Sequence, residues 1–206
     1  MKRARHFMRG SGYYLQLDIR NFFYSLDKDT LFLGLKEKIM KFYKSDCESD
    51  IEMHEMLWLV HKTIYHDVTK EAVMRGSKEG FSLLPAHKTL FKVPKSKGLP
   101  IGNLTSQFFA NVYMNGFDHY VKRRLKCKRY LRYVDDFVLF SDSNAELLMW
   151  HKEIVSYLDK ELALQLRAPT ILRSNSEGLD FLGYVIRPYY TLSRRRVVNN
   201  FKCKKA

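Results

Sequence analysis

The sequence predicts an α+β fold, an antiparallel sheet packed against helices, and three observations lead there. Short apolar segments at 13–19, 131–140 and 181–186 have the length and the β-branched and aromatic content of strands. Stretches at 51–66 and 145–162 repeat apolar residues at helical spacing, and a capped helix is expected over 28–40. Tyr133-Val134-Asp135-Asp136-Phe137-Val138-Leu139-Phe140 reads as two strands joined by a very tight turn, with both acids at its tip.

Composition sets the frame. A chain of 206 residues with 46% hydrophobic content can bury one substantial core, so one domain with an irregular attachment is expected. The 36 Lys and Arg against 22 Asp and Glu give a formal charge of +14. That field attracts polyanions, nucleic acid being the commonest, the alternative being a merely solvated basic surface. No apolar run reaches the roughly 18 to 20 residues of a membrane span, and the N-terminus lacks the apolar core of a secretory signal. A cytoplasmic chain without a membrane partner is expected. Cys47, Cys127 and Cys203 are odd in number and far apart, which supports neither a disulfide framework nor a structural zinc site.

Taken in order, the chain opens with basic residues and a Gly10-Ser11-Gly12 loop leading into a strand at 13–19, with Asp18 near its end. A turn-like passage at 21–27 follows, where Ser25 or Asp27 caps the next helix. In the helix over 51–66, Ile51, Met53, Met56, Leu57, Leu59, Val60 and Ile64 form the apolar face. His54, His61 and His66 flank it at spacings that make a weak zinc site, and no chemistry is assigned to them. From Arg75 to Gly98 the chain reads as a basic loop punctuated by Gly76, Gly80, Pro85, Pro94 and Gly98. Such a length suggests a contact surface, against the alternative of a solvated insertion.

A helix is expected to start near Thr105 or Ser106 and to run through Val121. Gly102 before it permits close backbone approach, and Ser106 and Gln107 lie in its first turn, where free N–H groups favour phosphate oxygens. Lys122, Arg123, Arg124, Lys126, Lys128, Arg129 and Arg132 follow, and some of them are expected to meet a nucleic-acid backbone. Beyond the Asp pair, 141–144 caps the helix over 145–162. A short strand broken at Pro169 is expected within 164–172, then a strand at 181–186 ended by Pro188. Arg194-Arg195-Arg196 and the lysines at 202–205 are too short and basic a tail to make a domain.

Asp18 and the Asp135-Asp136 pair come from separate strands, 117 positions apart, that an antiparallel sheet can bring together. Adjacent carboxylates repel unless a cation compensates them, and hard oxygen donors suit Mg2+ bound together with substrate phosphates. Two such ions would activate a primer hydroxyl and stabilise a leaving pyrophosphate.

The string Tyr133-Val134-Asp135-Asp136, flanked by Leu131 and Phe137-Val138-Leu139, resembles the reverse transcriptases, whose palm sheet carries a Tyr-x-Asp-Asp hairpin. Asp18-Ile19-Arg20-Asn21-Phe22-Phe23 is similar to their first palm motif, 98–107 to the template- and nucleotide-contacting motif, and Phe181-Leu182-Gly183-Tyr184 to the primer grip. The resemblance implies a palm with partial fingers over 1–206 and RNA-directed DNA synthesis. It implies Asp18, Asp135 and Asp136 as catalytic residues, with Ile19 joining them around two Mg2+ ions or Mn2+ in their place. Phe23 would meet the nucleotide sugar and leave no room for a 2′-hydroxyl, while Gly102, Ser106 and Gln107 would contact nucleotide or template. Phe181, Leu182, Gly183 and Tyr184 would hold the primer.

Gln107, where group II intron and retroviral relatives more often carry Pro, and the basic lead-in from 75 to 98 resemble the bacterial enzymes of diversity-generating retroelements, the alternatives being a retron, an abortive-infection enzyme or another bacterial reverse-transcriptase lineage. That implies an RNA template, a DNA or RNA primer, deoxynucleoside triphosphates and a small basic accessory protein as partners. The chain departs from the family where a lysine commonly assists the pyrophosphate. Ala168-Pro169-Thr170 stands there, leaving Arg167 or Arg173 as the candidate cation. Most of the N-terminal fingers and the thumb are expected to be missing. The alternative function is therefore a catalytically weak or inactive nucleic-acid-binding palm fragment, or one subunit of a split polymerase.

Overall fold

A computed structural model describes residues 1–45, 50–73, 75, 77–85 and 88–203, so Cys47, Gly76, Lys204 and Lys205 lie outside the described residues. In chain order the elements are α1 (Lys2–Arg9), β1 (Tyr13–Asp18), α2 (Phe22–Ser25), α3 (Lys28–Ser45), α4 (Asp50–Tyr65) and α5 (Lys78–Ser82). Next come α6 (Leu104–Tyr113), α7 (Asn115–His119), a π-helical turn at Tyr120–Arg124, β2 (Tyr130–Tyr133), β3 (Asp136–Ser141) and α8 (Asn144–Leu162). The chain ends with β4 (Ile171–Ser174), β5 (Leu179–Phe181), β6 (Tyr184–Ile186), β7 (Thr191–Ser193) and α9 (Arg195–Cys203). The mixed helical and antiparallel architecture is the α+β class that the periodicities predict. The backbone divides into two compact units, residues 1–18, 119–156 and 166–206 in one and 19–118 with 157–165 in the other.

The first unit is built on a four-stranded antiparallel sheet in the order β2-β3-β1-β4. Strand β3 lies at its centre because Phe137, Val138, Leu139 and Phe140 are buried on both faces. Helix α1, which the sequence reading did not assign, carries only Ala4, Phe7 and Met8 as buried residues, spaced to face one way. Phe7 and Tyr14 both pack on Phe140, at 5.8 and 6.5 Å between ring centroids. Leu179, Phe181 and Ile186 complete this core. The Asn175 side chain donates to the carbonyls of Met8 and Ser11 at 3.0 and 2.6 Å, tying α1 to the turn after β4.

Two expectations are corrected in this unit. Residues 181–186 do not form one strand: β5 and β6 pair as a hairpin whose turn residues, Leu182 and Gly183, have φ of 51° and 85°. Glycine supplies that backbone without cost, which a reading of apolar content alone passes over. The strand sought within 164–172 starts only after Pro169, at Ile171, where it pairs with β1. The basic tail folds as α9, with Val197, Val198 and Phe201 exposed on it.

In the second unit, Asp27 rather than Ser25 caps α3, its Oδ1 accepting from the Thr30 N–H at 2.8 Å and the Thr30 hydroxyl at 2.9 Å. The expected apolar face of α4 is only partly covered: Ile51, Met56 and Leu59 are exposed, Met53, Leu57 and Val60 are half-buried, and Ile64 is buried. Its seam with α3 is aromatic instead: Phe32 meets His61 and Tyr65 edge-on at 5.3 and 6.1 Å, and His61 stacks on Tyr65 at 4.4 Å. His61 is thus a packing residue. The basic loop is internally tied, since Lys92 donates to the carbonyls of Ser82 and Leu84 at 3.1 and 2.7 Å and Phe81 meets Phe91 at 5.2 Å. Gly98, at φ +84°, has no room for a side chain, because a Cβ would stand 2.8 Å from Leu90. The long helix expected from 105 through 121 is broken into α6, α7 and the π-helical turn. Among the described residues no helix is long and apolar enough to cross a membrane.

Candidate active site

Strand pairing alone places the acids. Asp18, the last residue of β1, stands opposite Asp136, the first residue of β3, and Tyr133 closes the β2–β3 hairpin opposite the same Asp136. Val134 and Asp135 are the two turn residues. Val134 has φ of 58°, a conformation that a β-branched side chain strongly disfavours. The Arg132 guanidinium donates to the Val134 carbonyl at 3.0 Å and helps to hold the turn.

The electrostatics are those of crowded anions. Burial, reinforced by the charge of Asp18, raises the pKa of Asp135. Asp136 is pushed up to about 6 by burial, then by Asp18 and Asp135, with Arg194 and Arg167 opposing the shift. Arg167 Nη1 lies 3.3 Å from Asp18 Oδ2, and the Arg167 N–H donates to the Asp18 carbonyl at 2.7 Å. Gln16, Asp18, Asp136, Arg167 and Pro169 line a cavity of about 250 Å³ at this sheet end.

Arg194 escaped the sequence reading as a residue of this site. Its N–H donates to the Gly183 carbonyl at 2.9 Å, and its guanidinium bonds the Asp180 carboxylate. The link reaches back across the β5–β6 and β6–β7 turns and has no signal in the composition of a basic tail.

The donors are of the hard oxygen kind that a divalent cation takes: Asp135 and Asp136 at the hairpin tip and Asp18 at the facing strand end, the first two holding their protons more tightly than a free aspartate does. Among the described residues, however, no three His, Cys, Asp or Glu side chains converge closely enough to hold an ion. Asp18 spends its carboxylate on Arg167.

The remaining predicted positions fall in two places. In the first unit, Phe181 is buried in the core with Leu182 packed against it, Gly183 forms the hairpin turn, and Tyr184 is exposed. Ile19, which follows Asp18 and is buried, begins the second unit. Phe23, Gly102, Ser106 and Gln107 belong to the second unit. Phe23 is half-buried edge-on to Phe22 at 5.5 Å, and its carbonyl accepts from Leu99 at 2.8 Å. Gly102, at φ +101°, faces open space, Ser106 is buried and Gln107 is exposed in the first turn of α6.

Residues 3–186 match the family model described as reverse transcriptase (RNA-dependent DNA polymerase). Among solved structures, the chain resembles a telomerase from Candida tropicalis in complex with a TWJ fragment of telomeric RNA. The TM-score is 0.58 and the identity 14%, over 88% of this chain and 29% of that one. Apo telomerase of the same organism, truncated from its C-terminal domain, gives a TM-score of 0.55 and 16% identity over 88% and 35%. The chain thus spans about a third of the length of these structures, and at such identity the likeness concerns the fold. No curated protein matches the chain.

Proposed function

The chain belongs to the reverse transcriptase (RNA-dependent DNA polymerase) family, and from that premise we propose that it is the palm with partial fingers of an RNA-directed DNA polymerase. The observation that carries this reading is the register that sets Asp18 opposite Asp136 with Asp135 in the adjoining turn. In the reaction, a primer 3′-hydroxyl oxygen attacks the α-phosphorus of a deoxynucleoside triphosphate, its proton is lost, and pyrophosphate leaves. Asp18, Asp135 and Asp136, with Ile19 beside them, would hold two Mg2+ ions, or Mn2+ in their place. Such ions, when bound, supply the positive charge that favours both the attacking and the leaving oxygen. The family resemblance assigns Phe23 to the nucleotide sugar, where it would disfavour a 2′-hydroxyl, Gly102, Ser106 and Gln107 to nucleotide and template, and Phe181, Leu182, Gly183 and Tyr184 to the primer, with the exposed Tyr184 and the Gly183 turn available for contact and Phe181 and Leu182 supporting them from the core.

The setting we propose is a bacterial retroelement of the diversity-generating kind, acting in the cytoplasm with a small basic accessory protein. Gln107 and the basic segment before Gly98 support this assignment. The reading is tested by incorporation of deoxynucleotides on a primed RNA with Mg2+ or Mn2+. Wild type is expected to extend the primer and Asp135→Asn to lose extension by at least about 100-fold. Failure of both the chain and a thumb-completed version of it overturns the enzymatic assignment. A second reading, a non-catalytic RNA-binding subunit, is favoured by the Arg167 guanidinium seated on Asp18. RNA binding untouched by Asp18→Asn, with no synthesis, supports that one.

A further inference from the structure

The end of the sheet away from the aspartates carries a concentration of charge that the proposed chemistry leaves unused. Between positions 119 and 134 the chain has seven Lys and Arg and no acid. The π-helical turn and the segment into β2 present Lys122, Arg123, Arg124, Lys126 and Lys128 to solvent. Arg123, Arg124, Lys126 and Lys128 have no ion-pair partner among the described residues. The nearby acids are engaged elsewhere, Asp142 with Arg129 at 3.2 Å and Glu146 with the Ser141 hydroxyl.

A second segment adds to this surface. Tyr13 pairs with Ser141, so the start of β1 and the loop from α1 lie at the same sheet end. The Arg129 guanidinium stands 3.0 Å from where a Cβ on Gly10 would be, next to the exposed Arg9. Lys126, Lys128 and Arg129 also line a cavity of about 350 Å³ together with Ser141 and the two engaged acids, Asp142 and Glu146. From Asp136 to Ser141 the strand runs five residue steps, about 17 Å at the rise of an extended chain. This surface is therefore distinct from the catalytic hairpin.

We propose that it binds the phosphodiester backbone of double-stranded RNA, outside the site of synthesis. Unpaired flexible cations that the fold does not use suit phosphate contact. Tyr130 and Trp150 are buried, Tyr13 and Tyr120 are half-buried, and the Tyr120 hydroxyl donates to Glu153 at 2.8 Å, so among the described residues no Phe, Tyr or Trp ring stands exposed here as a platform for single-stranded bases. What it presents is charge spread over a surface, which suits the sugar-phosphate backbone of an A-form helix. The choice of RNA rests on the polymerase reading above; the charge and its placement do not.

The test is equilibrium binding of an RNA hairpin to the full chain carrying Asp135→Asn, so that synthesis does not intervene. The variant is Arg124→Glu with Lys126→Glu and Lys128→Glu, and the control reverses the same charge at the exposed Lys36, Lys38 and Lys41 of α3. The first is expected to weaken binding at least about tenfold near 0.15 M salt and to reduce the slope of log affinity against log salt by about 2 to 3. Thermal melting confirms that both variants fold. An equal loss in the control, reducing the effect to net charge, overturns the proposal. Preference for a DNA hairpin of the same sequence, or for anionic vesicles, overturns the choice of RNA. Primer extension on a short template scores the polymerase reading separately: synthesis with an indifferent surface sinks only the surface, and charge-specific hairpin binding without synthesis sinks only the polymerase.

Discussion

Arg167 holds Asp18 twice, through its guanidinium at 3.3 Å from the carboxylate and through its N–H on the Asp18 carbonyl at 2.7 Å. The backbone bond fixes where the side chain emerges, and the side chain supplies the nearest positive charge to Asp18 and some to Asp136. Arg167 therefore stands in competition with any divalent ion for Asp18. Arg167→Gln is expected to tighten Mn2+ binding severalfold, measured by paramagnetic resonance of free Mn2+. In EDTA it changes the melting temperature little, because a solvent-exposed pair contributes about 1 kcal/mol or less. Unchanged or weaker Mn2+ binding would show that the pair is incidental.

Asp136 contributes a pH dependence of definite sign. Its folded pKa of about 6 lies above the unfolded value near 3.8, so the folded chain binds the extra proton across that interval. Stability supplied by the neutral acid is lost as pH rises from about 4 to 6. Asp136→Asn removes the titration. In EDTA it is expected to be more stable than wild type by about 1 kcal/mol at pH 7, allowing for partial exposure, with the difference fading below pH 4. A variant equally stable or less stable at pH 7 contradicts the assignment.

Val134 stores strain at the hairpin tip. At φ of 58° a β-branched residue is disfavoured, whereas asparagine tolerates the left-handed region. Val134→Asn is expected to stabilise the chain by about 0.5 to 1 kcal/mol in urea denaturation. A loss of stability would mean that packing of the valine outweighs its backbone.

Cys127 offers a probe of the first unit. Burial pushes its thiol up to about 12, with Lys122 only partly opposing, and the side chain lies in the core. In a Cys47→Ser, Cys203→Ser background, Cys127 is expected to react with a thiol reagent at neutral pH only as fast as the unit opens. Denaturant should accelerate the reaction steeply. Prompt labelling in native buffer would rule out the buried placement.

Much of the architecture was legible in local pattern. The alternation from Tyr13 to Asp18 and the continuous apolar run Phe137-Val138-Leu139-Phe140 mark a half-buried and a fully buried strand, because side-chain period follows backbone geometry. The same logic located α4 and α8. It failed where glycine or charge decided the outcome. Leu182-Gly183 turned one expected strand into two, and the charged α1 hid its three core residues.

The sequence by itself determined that two acids sit at a tight hairpin tip and that a third ends a strand, since residue type and strand period are local properties. Only the tertiary structure decided what surrounds them. It set Asp18 opposite Asp136 by register, laid Arg167 on Asp18 and tied Arg194 to the Gly183 turn. It also carried α1 to the basic end of the sheet. Those relationships join residues more than a hundred positions apart, or residues in basic stretches without periodicity. Burial and charge at a site are sums over neighbours that the chain brings together only when it folds.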